Sequence, residues 1–186
     1  MFAKAKGPLA RPSLLSRFAR RPRDRDALQP LYQAVVARAR DPFWYREGQV
    51  PDTLDGRFDM LTALMAVILI RLEPEADEKV KAASVWLTEL FVEDMDQTLH
   101  QIGIGDYVVG KHVGRMMSAL GGRLAAFRAA CEAEAGFGGS VRRNIFHDDA
   151  PAEEAIDIVS ARLERFDAAL LAMPASAIIG GELPPL

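Results

Sequence analysis

The segment from Leu54 to Leu72 constrains the fold more than any other part of this sequence. Between Leu61 and Ile70 every residue except Thr62 is apolar, so apolar side chains would cover nearly the whole circumference of a helix. A helix that is apolar on all sides lies in the middle of a bundle, where neighbouring helices cover it. The apolar run is well short of the ~20 residues that a membrane-spanning helix requires. The segment therefore predicts the central helix of a helical bundle.

Length and composition are consistent with one globular domain built around such a helix. The chain has 186 residues, of which 49% are hydrophobic and 26% are charged, proportions typical of folded chains. Aromatic residues make up only 8% while alanine and leucine are plentiful, a composition that favours helices over sheets. The single cysteine, Cys131, excludes an internal disulfide framework and any metal site made of several thiolates.

The chain after residue 27 has the spacing of further helices. Apolar residues recur at intervals of three and four residues, and prolines and glycines separate the periodic segments. We therefore expect an all-α fold: a single-domain bundle of about six helices over residues 27–186, preceded by a flexible basic tail over residues 1–26. The predicted helices cover residues 28 to about 41, 54–72, 77–102, 109–135 and 141–146, with a final helix that starts near Pro151.

The first 26 residues are strongly basic although the whole chain is acidic. They hold eight lysines and arginines but only two aspartates, whereas the formal net charge of the chain is -3. A basic tail on an acidic body is suited to an anionic partner, either lipid headgroups or RNA. A turn after Pro12 would place apolar side chains on one side and arginines on the other, although so short a piece would be helical only on a surface. The candidate contacts with a membrane or RNA are Arg11, Leu14, Leu15, Arg17, Phe18, Arg20 and Arg21.

Two other interpretations of this tail stay open. A disordered tail that only improves solubility is as well supported as one that binds a partner. An arginine-rich start that is initially free of acidic residues is also typical of a mitochondrial transit peptide. Because the predicted domain begins so soon afterwards, we favour a tail that the protein keeps.

Charged residues interrupt two predicted apolar surfaces. Arg57 and Arg71 lie on one line of the 54–72 helix, so both guanidinium groups need carboxylates or carbonyl groups nearby. Asp94 falls inside the apolar stripe of the 77–102 helix, where a carboxylate is either paired or has a strongly shifted pKa. We predict that Arg57 is the partner of Asp94.

Three further patterns predict buried or closely packed groups. The aromatic run Phe43-Trp44-Tyr45 favours a hydrophobic plug over the core rather than a ligand-stacking site. Cys131 continues the apolar stripe of the 109–135 helix and is predicted to be a packed thiol rather than a nucleophile. A second stripe of small residues would let another backbone approach closely; its members are Gly110, Gly114, Ser118, Gly121 and Ala125.

Catalytic chemistry has little support in the sequence. The segment from Gly105 to Lys111 is similar to a phosphate-binding loop, but His112 replaces the required hydroxyl and a helix rather than a strand precedes it. Asp96 and His100, four residues apart, could hold a divalent ion, yet metal sites require three or four converging ligands. We therefore predict no enzyme, no catalytic residue, no metal and no cofactor, and a small metal- or nucleotide-dependent enzyme stays an alternative.

Three segments taken together carry a family resemblance. The first is Val50-Pro-Asp-Thr-Leu-Asp-Gly-Arg-Phe-Asp-Met60; the second runs from Phe91-Val-Glu-Asp-Met-Asp96 to Gly103-Ile-Gly-Asp106 and Val109-Gly-Lys111; the third is Arg142-Arg-Asn144, followed by Phe146. As a set they resemble the ubiquinol–cytochrome c chaperone family, which serves assembly of the cytochrome bc1 complex. The resemblance covers the chain from about Leu28 to the C-terminus, including the closing Gly181-Glu-Leu-Pro.

This resemblance implies an all-helical assembly factor without catalysis, which would bind newly made cytochrome b or other subunits of the bc1 complex. A bacterial member would act in the cytoplasm at the inner membrane, a mitochondrial one on the matrix side, and neither would bind DNA. A helical adaptor that docks to the ribosome or the membrane without a haem-protein client is the alternative. The family-motif positions carried over as candidate partner-binding residues are Asp55, Gly56, Arg57, Phe58, Asp59, Asp94, Met95, Asp96, Gly105, Asp106, Gly110, Lys111 and Asn144.

Overall fold

The structure, a computed structural model, describes residues 25–101, 106–147 and 152–186, and over residues 106–109 it describes the backbone only. Every regular element in these ranges is a helix, which confirms the predicted all-α class. The helices are α1 (Gln29–Ala39), α2 (Pro42–Arg46), α3 (Leu54–Leu72), α4 (Glu78–Gln101), α5 (Asp106–Glu132), α6 (Gly138–Asn144), α7 (Glu153–Leu171) and α8 (Ala175–Ile179).

The long helices agree with the sequence pattern, and the short ones show its limit. The central helix α3 has the predicted bounds, and α4 and α5 differ from their predicted bounds by at most three residues. The pattern did not predict α2 and α8, each only five residues long. A helix of little more than one turn is too short to show a repeat of apolar positions.

Capping contacts fix where α2 and α3 begin. The Asp41 carboxylate accepts a hydrogen bond from the backbone N–H of Phe43 at 2.9 Å. The Thr53 hydroxyl accepts one from the backbone N–H of Gly56 at 3.1 Å. A Cβ on Gly56 would lie 2.0 Å from the carbonyl oxygen of Pro51, so only glycine fits where the chain turns into α3.

Helix α3 lies at the centre of the bundle, as its apolar circumference predicted. It contacts α1, α4, α5 and α7, and every residue from Asp59 to Leu69 is buried. Near its end, the Arg71 guanidinium donates to the backbone oxygens of Leu170 at 3.0 Å and Met173 at 2.7 Å, which confirms the predicted need for carbonyl groups. Within the part of the chain that the structure covers, no helix is both long enough and apolar enough to cross a membrane.

The aromatic run forms the predicted hydrophobic plug. Trp44 is fully buried, and its indole N–H donates to the backbone oxygen of Arg38 at 2.9 Å. The ring of Phe43 packs edge-on against Trp44 with ring centroids 5.7 Å apart. From α7, the guanidinium carbon of Arg162 lies 3.7 Å from the centroid of the Phe43 ring. The plug therefore ties α2 to α1 and α7.

Two parts of α5 do not pack as predicted: its last turn and the stripe of small residues along the helix. Cys131 is exposed rather than buried, because the core ends one turn earlier at Phe127, whose ring packs edge-on against Phe137 at 4.9 Å. The stripe of small residues that starts at Gly110 is exposed as well. A Cβ added to any of its three glycines would meet no atom within 4 Å, so no second backbone among the described residues approaches it.

Candidate functional site

The family-motif residues of α3 and α4 meet in one groove on the surface of the bundle. This motif groove has a volume of about 680 Å³ and is bordered by α1, the first half of α3, the second half of α4, and α5. Two motifs that are distant in the sequence thus form one surface. Six predicted positions line it: Asp55, Arg57, Phe58, Asp59, Asp94 and Met95. Its other apolar lining residues are Val36, Ala39, Leu54, Leu61, Leu99, Met116 and Ala119.

A buried ion pair lies in the motif groove. The Asp59 carboxylate and the Arg123 guanidinium are in direct contact, with only 5% and 4% of their side chains exposed. Arg123 also donates to the backbone oxygen of Asn144 at 2.8 Å, and its guanidinium carbon lies 5.5 Å from the centroid of the Phe58 ring. The arginine therefore links α3, α5 and α6 through three motif positions.

Burial dominates the electrostatics of this pair. It raises the pKa of the Asp59 carboxyl above its ordinary value, while the charge of Arg123 acts in the opposite direction. Burial likewise lowers the pKa of Arg123. Removing two charges from water costs free energy that their attraction offsets only in good geometry. The pair therefore contributes little net stability, yet each partner depends strongly on the other.

His147, which follows α6, is the third member of this cluster. Its imidazole Nε2 lies 2.8 Å from Asp59 Oδ2, although 62% of the side chain is exposed. The backbone of His147 has a φ of 52°, a left-handed conformation that residues other than glycine adopt at a cost in free energy. The imidazole therefore covers the buried carboxylate towards the solvent.

Asp94 is paired, but with a different partner from the predicted one. The Tyr32 hydroxyl of α1 donates to Asp94 Oδ2 at 2.6 Å, and burial together with this hydrogen bond raises the pKa of Tyr32 above its ordinary value. Arg57 lies in the exposed first turn of α3, where it forms an ion pair with Asp52 at 2.7 Å. The predicted ion pair between Asp94 and Arg57 is therefore wrong, because a carboxylate closer in the sequence is within reach of the arginine.

Exposed arginines at the end of α1 and on α5 give the motif groove a cationic rim. Arg40, just after α1, and Arg115 on α5 line the groove, and neither forms an ion pair with any residue that the structure describes. Arg115 Nη2 lies 2.9 Å from Nδ1 of His112, which also lines the groove. The two guanidinium groups thus present positive charge that no ion pair within the described residues neutralises.

The remaining predicted positions whose side chains the structure describes do not line this groove. Gly56 is buried beneath Pro51, and Asn144 is half-buried on α6, where its side-chain N–H donates to the backbone oxygen of Ser140 at 2.9 Å. Gly110 and Lys111 are exposed on α5, and Asp96 is half-buried on α4. Of Asp106 only the backbone is described. Outside the described residues lie Gly105 and the tail positions Arg11, Leu14, Leu15, Arg17, Phe18, Arg20 and Arg21.

Sequence reasoning did not find Arg123 or His147 as members of the site. Arg123 lies 64 residues from Asp59, and no spacing rule pairs them. One signal was available, because Arg123 comes three residues after Leu120 and four before Phe127, on the apolar side of the helix. A charged residue at such a position needs a buried partner.

The segments that were similar to nucleotide and metal sites have other local structures. From Asp106 onward the chain belongs to α5, so the backbone there is helical rather than looped around a phosphate. His100 Nδ1 lies 2.8 Å from the backbone oxygen of Asp96 and 3.5 Å from its carboxylate. In the three described ranges, no group of three or more histidine, cysteine, aspartate or glutamate side chains could hold a metal ion.

Comparison with known proteins supports the resemblance that the motifs carry. The crystal structure of the Cbp3 homolog from Brucella abortus has a similar fold, with a TM-score of 0.77 and 25% sequence identity over 94% of this chain and 97% of that chain. No curated protein matches the chain. Residues 46–184, which are well over half of the sequence and include all three motif segments, match the family described as Ubiquinol-cytochrome C chaperone. The chain therefore belongs to the ubiquinol–cytochrome c chaperone family.

Proposed function

We propose that this chain is a non-catalytic assembly chaperone that holds newly made cytochrome b in the motif groove, at the cytoplasmic face of a bacterial inner membrane. Family membership supports the chaperone role. The choice of surface rests on one observation: six family-motif positions, contributed by two helices, line the same groove. Those positions supply aromatic, apolar and charged groups, which together suit the binding of a polypeptide.

The lining of the motif groove fits an apolar helix that carries carboxylates or whose C-terminal end lies at the groove. Apolar side chains such as Val36, Leu99 and Met116 offer contact area to the apolar face of a helix. The guanidinium groups of Arg40 and Arg115 complement acidic side chains or the negative end of a helix dipole. A precursor of a membrane protein exposes helices of this kind before its partner subunits cover them.

Site-specific photo-crosslinking tests this choice of surface. Leu54, which is 56% exposed, lies in the motif groove, and Leu171, which is 63% exposed, lies on α7 away from it. We expect a photoreactive amino acid at position 54 to crosslink to cytochrome b in growing cells, and the same residue at position 171 to give no such product. Equal crosslinking from both positions, or none from position 54, would contradict the proposal.

Charge reversal on the rim provides a second test with a functional readout. The double substitution Arg40→Glu and Arg115→Glu changes exposed side chains, so we expect the fold to stay intact and the b-type haem signal of membranes to fall strongly. Arg143→Glu, an exposed arginine of α6 outside the groove, is the matched control and should leave reduced-minus-oxidised haem spectra unchanged.

The alternative, a helical adaptor without a haem-protein client, predicts different results in the same cells. Its crosslinks from position 54 would reach ribosomal proteins or lipid, and the double substitution would leave the b-type haem signal at its normal level. Purified protein that turned over a small substrate would contradict both functions.

A further inference from the structure

A second groove lies at the opposite ends of the same helices. This apolar groove has a volume of about 790 Å³ and is formed by the end of α3, by α4 between Lys81 and Val92 and by α5 between Met117 and Arg128. Val85 within it is 57% exposed, an unusual position for a valine beside other apolar side chains. The apolar residues that line it are Leu69, Leu72, Val85, Val92, Met117 and Leu124.

The described part of the chain begins at the apolar groove. Arg25, the first described residue, lines the groove, and its guanidinium lies 3.2 Å from the carboxylate of Glu93 on α4. This contact fixes the position from which residues 1–24 depart. Any apolar segment shortly before Arg25 is therefore held near the groove at a high effective concentration.

We propose that residues 11–21 of this chain dock in the apolar groove as an amphipathic turn and cover its apolar lining. The seven residue steps from Phe18 to Arg25 span at most ~25 Å when extended, so Phe18 and the preceding leucines stay within reach of the groove. In a helical turn, Leu14, Leu15 and Phe18 share one side, which matches an apolar surface. Docking supplies the surface that so short a helix needs in order to form.

The charges at the rim favour this occupant over an anionic one. Lys81 and Arg128 are paired with carboxylates of the protein itself, at 2.9 Å and 2.8 Å. Glu89 lines the groove and forms no ion pair with any residue described in the structure. The uncompensated rim charge is therefore negative, and the arginines at positions 17, 20 and 21 would complement it.

Thiol labelling of the full-length chain tests the docking directly. In a Cys131→Ser background, Val85→Cys places one reactive thiol in the apolar groove, and Leu171→Cys places one on an exposed part of α7 that does not line the groove. We expect the triple substitution Leu14→Ser, Leu15→Ser and Phe18→Ser to increase the maleimide labelling rate at position 85 about tenfold, the release expected if the groove is covered about nine-tenths of the time. The labelling rate at position 171 should not change.

A disulfide experiment identifies the occupant. In dilute solution, Leu15→Cys combined with Val85→Cys should oxidise within one chain, whereas Leu15→Cys combined with Leu171→Cys should not. A labelling rate at position 85 that the triple substitution does not change, or a disulfide formed only between two chains, would overturn the proposal. Loss of binding to anionic vesicles or to RNA in the triple variant, with unchanged labelling at position 85, would overturn it too and assign the segment to that partner instead.

Discussion

The two grooves differ in what holds their walls in place. The motif groove contains a buried ion pair, Asp59–Arg123, whereas the apolar groove is walled by aliphatic side chains such as Leu72 and its ion pairs are accessible to solvent. Apolar packing depends on contact area, while a buried charge depends on one specific partner. Substitutions in the motif groove therefore change stability and surface chemistry together, and those in the apolar groove change mainly packing.

Removing one member of the buried pair should have the largest effect on stability. We expect Asp59→Ala to lower the free energy of unfolding by about 3–5 kcal/mol, because Arg123 would stay buried without its carboxylate. The imidazole of His147 would lose its contact as well. Denaturant unfolding followed by circular dichroism measures this change.

A double substitution is the control for that result. Asp59→Leu combined with Arg123→Met replaces both charges by apolar groups, and we expect a stability close to that of the unmodified protein. A double variant as unstable as Asp59→Ala would show that volume at these positions matters and charge does not.

Truncation of a wall residue tests the packing of the apolar groove. Leu72 is 1% exposed and lines the apolar groove, so Leu72→Ala should cost about 3 kcal/mol through lost contacts and a cavity. Because no charge is involved, the loss should be the same at low and high salt and between pH 6 and pH 8. A loss that varied with salt would contradict the assignment of this wall to apolar packing.

A smaller effect is expected where α1 meets α4 beside the motif groove. Tyr32→Phe removes the hydrogen bond to Asp94 and should cost about 1–2 kcal/mol at neutral pH. Since burial raises the folded-state pKa of Tyr32 above its ordinary value of 10.0, its stabilising contribution is complete below pH 10 and is lost as the pH rises further. Stability curves between pH 9 and pH 11 should therefore fall less steeply for Tyr32→Phe; parallel curves would contradict this account.

The smallest effect on stability is expected at the exposed pair on the edge of the motif groove. Arg57 and Asp52 are both more than half exposed, and exposed ion pairs contribute little to folding. Arg57→Gln should therefore leave the unfolding transition unchanged while it weakens crosslinking of a client from position 54. A destabilised Arg57→Gln variant would show that this edge of the groove is structural.

The helical core could be predicted from the sequence because apolar periodicity reports burial directly. The bounds of α3 and the burial of Trp44 followed from local patterns alone. The same reasoning failed at Cys131, where the apolar stripe continues into a turn of α5 that extends past the core. Periodicity indicates which side of a helix is apolar, but not how far along the helix its neighbours reach.

The site could be predicted only in part. The motif positions Asp59 and Asp94 were found, whereas their partners Arg123 and Tyr32 were not, because each lies more than 60 residues away. Which residues meet across a bundle depends on how the helices cross, and no local spacing encodes that geometry. Only the general requirement that a buried charge has a partner was available from the sequence.

His147 is a position at which conformational preference and side-chain identity conflict. Its left-handed backbone would suit glycine, and a histidine there carries a penalty of about 1–2 kcal/mol. A search for more stable variants of this turn would therefore select glycine and, in doing so, uncover the carboxylate of Asp59. Improving the local conformation would remove the contact by which His147 covers the buried Asp59–Arg123 pair.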